Sequence, residues 1–303
     1  VITLLNVILP VVIVAGIAAL AQPWLELEVE TLSRTSFRLL VPAITLRSLL
    51  NPALTAAALW RVTLASLVLS LLLLLFAEGA AYLLGLEMET RGALVITVLL
   101  ANVGAMGLPV LNFGFGEEAL VPGSMGLVIF NGIVIPAISV YLALLRKAPL
   151  RTTVQRVTGN PVIYAALVGG VLRLLGLELP EALQRVVELL AEGSVPVLLV
   201  VLGLQLRRSM EIEWSRSYLP ALAFLILARL ALAPLMALLL ARGLDLQGLY
   251  RAAFIVQAAM PAAILTTVLA LEFDVDAAFV ALGIVSTTLL SLLSLTLWLG
   301  WLR

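Results

Sequence analysis

The sequence predicts an all-α polytopic membrane protein: ten transmembrane helices in two inverted five-helix repeats, with the fourth and ninth helices broken at crossovers. Three observations carry that expectation: the composition, a recurring set of prolines, and polar breaks inside two apolar runs. The 303 residues are 63% hydrophobic and only 12% charged, and the mean hydropathy is +1.18. A soluble domain of this length cannot hide so much apolar side chain, because much of any folded surface stays exposed. The bilayer is therefore the solvent. Net charge is zero, which gives no electrostatic footprint for nucleic acid or for surface anchoring. The opening run, "VITLLNVILPVVIVAGIAAL", lacks a cationic n-region and is followed at once by further spans, so it reads as the first helix rather than a signal peptide. With no initiator Met, a processed N-terminus is expected.

Crossing the hydrocarbon takes roughly 20 apolar residues per helix. Charges and turn residues divide the chain into spans near 2–21, 32–50, 62–85, 92–116, 119–145, 161–177, 182–206, 218–241, 248–271 and 277–301. The polar stretch Arg146–Asn160 separates a first repeat (1–147) from a second (161–303), with 148–160 as a cytoplasmic linker. Pro10, Pro42 and Pro109 recur as Pro161, Pro196 and Pro261, at offsets of 151, 154 and 152 (161 − 10, 196 − 42, 261 − 109). "VPAITLRSLL" from Val41 aligns with "VPVLLVVLGL" from Val195. Five spans per half is an odd number, so the second copy enters from the opposite side, the plan of many secondary transporters.

Basic residues set the orientation. With both termini outside, Arg146, Lys147, Arg151, Arg156, Arg207, Arg208 and Arg216 fall in cytoplasmic loops, while Arg47, Arg61, Arg242 and Arg251 fall outside with Glu117 and Glu118. The bias is modest. There is no Cys and no His, which removes thiolate chemistry, imidazole ligands and every Ser–His or Cys–His arrangement. Asp245, Asp274 and Asp276 all flank helix ends, so no membrane-embedded aspartyl pair is expected. The chain is not expected to be an enzyme: it has no catalytic residues, no metal site and no cofactor.

The breaks locate the candidate site. In "ANVGAMGLP" (residues 101–109), Gly104 and Gly107 ease irregular backbone, and Pro109 cannot donate to the preceding turn and suits the start of a second half-helix. Non-helical backbone at membrane depth persists only in protein or beside a water-filled cavity. The second half offers "VQAAMPAAILTT" (256–267), with Gln257, Met260 and Pro261. This stretch has no glycine, so a simple kink is also possible. Asn102 and Gln257 each donate and accept hydrogen bonds; they read either as substrate contacts or as interhelical glue. Asn131, in "FNGIVIPAISVY", faces the bundle on either reading. Pro42, Pro136 and Pro234 read as tolerated kinks.

"ANVGAMGLPVLNFGFGEEAL" resembles the fourth-helix signature of the auxin efflux carrier family, and "QAAMPAAILTTVLALEFDVDAAFVALGIVSTTLL" its ninth-helix segment. "LSRTSFRLLVP", "VPVLLVVLGLQL" and "LARLALAPL" resemble its second, seventh and eighth helices. The resemblance implies a scaffold of helices 1, 2, 6 and 7 and a moving transport subdomain of helices 3–5 and 8–10, as in the wider group that includes the bile-acid sodium symporters. It places Asn102, Pro109, Gln257 and Pro261 on the crossovers. The central loop is short, so the regulatory segment of plant members is absent. Bacterial carriers of small carboxylates such as malate and malonate are the closer analogy.

Charges inside the spans remain. Arg229 has twelve uncharged residues on either side, roughly 18 Å at 1.5 Å per residue, too far to snorkel. It pairs with Glu78, contacts helix-end carbonyls, or balances an anionic substrate. Glu78 is a protonation candidate, and Arg38, with Arg34 one turn before it, faces the cytoplasmic boundary. The expected function is an elevator-type secondary carrier of small organic anions in the cell inner (plasma) membrane, coupled to H+ or Na+ or to neither. Its expected partners are the substrate anion, the lipid bilayer and a second copy in a homodimer, with no nucleic acid. The alternatives are a sodium-coupled bile-acid-type symporter and a ligand-sensing membrane receptor.

Overall fold

The computed structural model describes residues 7–25, 28–51, 55–147, 159–209 and 215–302. Among them the regular structure is entirely helical, apart from one isolated bridge between Ala101 and Ala262. In the first half lie α1 (Leu9–Leu25), α2 (Val29–Thr35), α3 (Val41–Leu50), α4 (Ala56–Leu83), α5 (Met88–Leu99), α6 (Leu108–Phe115), α7 (Leu120–Ile129) and α8 (Ile135–Leu145). The second half holds α9 (Pro161–Leu174), α10 (Glu181–Glu192), α11 (Ser194–Ser209), α12 (Leu219–Leu227), α13 (Ala233–Gly243), α14 (Gly248–Ala258), α15 (Leu265–Glu272) and α16 (Ala277–Leu302). Among the described residues, five continuous helical runs are long and apolar enough to cross a membrane: Ala57–Leu83, Glu117–Leu145, Glu181–Gln205, Arg216–Gly243 and Ala277–Leu302. The start expected for the first span, and residues 148–158 of the linker, lie outside the described residues.

Prolines shape four helical segments through one mechanism. Pro42, Pro109, Pro136 and Pro234 each sit two residues beyond a π-helical turn: Ser36–Leu40, Val103–Gly107, Phe130–Val134 and Ala228–Leu232. A proline ring crowds the carbonyl four residues back and supplies no N–H. Widening the ladder by one residue relieves that conflict, and the resulting bulge re-aims the side chains on it. Arg38, Gly104, Asn131 and Arg229 all lie on these widened turns.

Packing divides the helices into two groups. α1 lies along α11, and α3 packs on α9 and α10. The α1–α11 approach is close because Gly203 has no side chain: a Cβ there would run into the Ala15 carbonyl. In the other group α4 packs on α5 and α13, α14 on α13 and α7, and α16 on α5 and α12. The groups meet where α3 touches α7 and where α11 touches the Val103–Gly107 turn.

Element starts recur between the halves at two constant spacings. Leu9 and Val29 recur as Pro161 and Glu181 at 152 (161 − 9, 181 − 29). Ala56, Met88 and Glu117 recur as Arg216, Gly248 and Ala277 at 160 (216 − 56, 248 − 88, 277 − 117). Local chemistry follows the second spacing. Thr55 and Ser215 each cap the helix that follows with a side-chain oxygen. Gly85 and Asp245 each take a left-handed φ, +62° and +52°, and Leu86 N–H bonds Ala81 O as Leu246 N–H bonds Ala241 O. Arg91 approaches Tyr141 through Glu78, and Arg251 lies 5.8 Å over the Trp301 ring. Pro109 and Pro261 therefore do not correspond. At a spacing of 160 Pro261 matches Ala101 and Pro109 matches Leu269, because the spacing lengthens by eight residues between α11 and α12.

Candidate functional site

Two helices are interrupted where they cross. α5 ends at Leu99, and Leu100 and Asn102 take non-helical conformations (ψ 95° and 59°) before helix resumes at Val103. α14 ends at Ala258, and helix resumes at Leu265. Without glycines, a mere kink was an alternative for the second stretch; the interruption instead runs through Ala259–Ile264. The two breaks satisfy each other's backbone, which explains how buried polar groups survive there. Asn102 N–H donates to Pro261 O at 2.8 Å, and Ala263 N–H donates to Leu100 O at 2.7 Å. Ala262 N–H is taken by Thr287 Oγ1 of α16 at 3.1 Å.

The half-helices start at different residues from those expected. Pro109 lies inside a helix already begun at Val103, and Pro261 lies in the extended crossing, before the helix that begins at Leu265. Gly107 has ordinary right-handed geometry, φ −64° and ψ −46°. Its value is the missing side chain, since a Cβ would stand 3.3 Å from Asn102 O and 3.5 Å from Met260 Cγ.

A cavity of about 950 Å³ opens beside the crossing. Asn102, Val103, Gly104 and Ala105 line it from one break, Ala263, Ile264 and Leu265 from the other, and Asn131 from the Phe130–Val134 turn. It extends to helix ends carrying Arg34, Gln205 and Glu272, past apolar walls that include Phe37, Leu127, Phe130 and Leu271. Asn131 Nδ2 donates to Leu127 O at 2.9 Å, one turn back on its own helix. That bond leaves its amide oxygen as the remaining acceptor.

Several candidates lie behind the cavity rather than on it. Gly107, Pro109, Gln257, Met260 and Pro261 are buried and do not line it. Gln257 Nε2 donates to Gly123 O at 2.6 Å, and its amide fills the space above Gly126, where any Cβ would overlap it. It acts here as a staple between α14 and α7. Arg38 is exposed and outside the cavity, where Arg34, one turn earlier, lines the wall. Glu272 and Gln205 were not singled out by sequence reasoning. Glu272 ends α15, and only its place at the end of a half-helix could have marked it.

Arg229 is 1% exposed. It does not meet Glu78. Its Nη1 donates to Val98 O at 2.9 Å, and its Nη2 to Ala258 O at 2.9 Å and Met260 O at 2.7 Å. Those carbonyls belong to the last turn of α5, the end of α14 and the bend just after it, where helix dipoles concentrate negative charge. Its Nε is buried without a partner. Glu78 instead accepts from Arg91 and from the Tyr141 hydroxyl, tying α4 to α5 and α8. Arg173 donates to Leu49 O and Asn51 O at 3.0 and 2.9 Å, closing the end of α3.

A helical chain with long apolar spans and a part-polar cavity at buried helix ends has the build of a multi-pass membrane transporter. Residues 150–299 match the family model described as "Membrane transport protein". An uncharacterized transporter of Methanothermobacter thermautotrophicus is 29% identical over 218 residues, covering 71% of this chain and 69% of that protein. An uncharacterized transporter of Methanocaldococcus jannaschii is 27% identical over 241 residues, 75% of each chain. The second half of the chain is thus similar to a membrane transport protein family, and about three quarters of the chain to uncharacterized transporters at modest identity.

Proposed function

We propose that the chain is a secondary carrier of small organic anions, carboxylates above all, working by alternating access. One observation carries this reading: two helix N-termini, at Val103 and Leu265, line one cavity together with Asn102 and Asn131. The first N–H groups of a helix have no acceptor within it, and each N-terminus carries about +0.5 of an elementary charge. Two such ends present about one positive charge, enough to hold a carboxylate by backbone donors without lysines. That suits a chain whose single lysine, Lys147, lies in a turn outside the long spans.

The constant element spacings support reading the halves as an inverted repeat of five spans each, with α5–α6 and α14–α15 as crossover helices. The packing groups support a scaffold containing α1, α3, α9, α10 and α11 and a transport subdomain containing the crossing. Movement of one against the other along the α3–α7 contact is an elevator-type cycle. With both termini outside, the cavity opens to the cytoplasm.

The test is a thermal-shift screen of organic acids against the purified protein and its Asn102→Leu variant, with sodium or potassium as the cation. A bound acid raises the melting temperature by mass action. A carboxylate should stabilise the parent and lose that effect in the variant. Stabilisation of both alike, or by no acid, would contradict the reading; a sodium requirement would favour the symporter alternative.

A further inference from the structure

We infer that Arg229 is a tethered cation that holds the two interrupted helices in one body, and that its site accepts a free guanidinium ion once the side chain is removed. The inference rests on the crossing geometry of the proposed site. Val98 O, Ala258 O and Met260 O converge on one guanidinium at 2.9, 2.9 and 2.7 Å. They come from both interrupted helices, so a single side chain bridges the two. Each helix C-terminus carries about −0.5 of an elementary charge, and two such ends together balance one guanidinium. The match is of charge as well as of shape.

Carriers with broken helices commonly fill this kind of place, unwound carbonyls and half-helix C-termini, with a mobile cation. Here the cation is covalently part of α12–α13, delivered by the widened turn Ala228–Leu232. It does not line the cavity. Arg229 is accordingly a positioning residue: it acts on substrate only by fixing the ends of α5 and α14, whose continuations supply Asn102 and the helix starts that line the cavity. A planar fork meets two carbonyl directions at once, which a compact ammonium does not. Guanidinium is thus the cation that fits the vacated place, ahead of sodium or potassium.

The test uses the full chain purified in detergent, as parent, Arg229→Ala and Arg229→Lys. Melting temperature is read in millimolar guanidinium chloride, with sodium chloride, potassium chloride and urea at equal concentration as controls. Arg229→Ala should melt well below the parent and recover by about 2–4 °C with guanidinium alone, while the parent does not change. Arg229→Lys should lie between them and gain less. Should Arg229→Ala not accumulate in folded form, Arg229→Lys carries the comparison, since its shorter head leaves the second carbonyl direction vacant. No selective gain in either variant, or an equal gain with sodium chloride, would overturn the inference. This readout needs no transport, so it can fail while anion binding at the cavity stands, and the reverse.

Discussion

At the scale of single residues, the two carboxamides prominent in the sequence do different work. Asn102 stands just before a half-helix at the cavity wall with no capping bond from its side chain, whereas Gln257 is committed to Gly123 O and fills the notch over Gly126. Asn102→Ala should weaken carboxylate binding by about 0.5–1.5 kcal/mol, or roughly 3 kcal/mol if the amide bonds the charged oxygen, as read by titration on folded variant. Asn102→Leu should do worse by filling space. Gln257→Leu should remove the bond to Gly123 O that joins α14 to α7 and cost stability by about 0.5–1.5 kcal/mol. Gly126→Ala should destabilise the parent yet be tolerated beside Gln257→Ala, a coupling that a double-mutant cycle measures. Additive losses would show that the staple is not what fills that notch. Sequence could rank both amides as polar groups in apolar runs. It could not say which faced open space, because that depends on the small residues of a helix more than a hundred positions away.

At the scale of elements, the widened turns matter more than the breaks the sequence made obvious. Pro42, Pro136 and Pro234 looked like tolerated kinks, yet each places a bulge under or beside a polar residue: Arg38, Asn131 or Arg229. Proline inside a helix costs about 3 kcal/mol relative to alanine, so Pro234→Ala should stabilise α13 by propensity alone. If the bulge closes, however, residues before it rotate by roughly 100°, one residue's turn, and Arg229 leaves its carbonyls. The net expectation is a lower melting temperature for Pro234→Ala; a higher one would show that the turn does not hold Arg229 in place. A second element-level effect lies at the ends of α5, α8 and α15, where Arg146 bonds Glu89 and Asp274. Glu89's own backbone N–H at the start of α5, followed by Arg146, holds its carboxyl below the usual carboxylate range. A depressed value contributes stability above the unfolded pKa that is lost as pH falls through the folded one. The decline of melting temperature on acidification should therefore be shallower in Arg146→Gln than in the parent. An identical decline would remove the role.

At the scale of the whole molecule, the span positions were legible because hydropathy punctuated by charges is a strong signal. The apolar runs near 119–145, 218–241 and 277–301 each fall within a long continuous helix, and that near 62–85 overruns one by two residues. Three prolines fitted an offset near 152, while the elements from α4 onward recur at 160. Proline positions tolerate drift along a helix, whereas caps and left-handed turns such as Gly85 and Asp245 do not. The partners of Arg229 were beyond reach for the same reason as Gln257's: backbone carbonyls carry no sequence signature.

The reading of the molecule as a carrier turns on whether the cavity at the crossing moves its ligand from one side to the other. Counterflow in proteoliposomes tests this most directly, with the stabilising carboxylate loaded inside and a labelled trace outside. Parent protein should accumulate label above the level of protein-free vesicles, and folded Asn102→Leu in the same lipid should not. Tight binding by the parent with no counterflow would contradict the carrier and leave a membrane receptor; equal counterflow by both proteins would move the site away from the crossing.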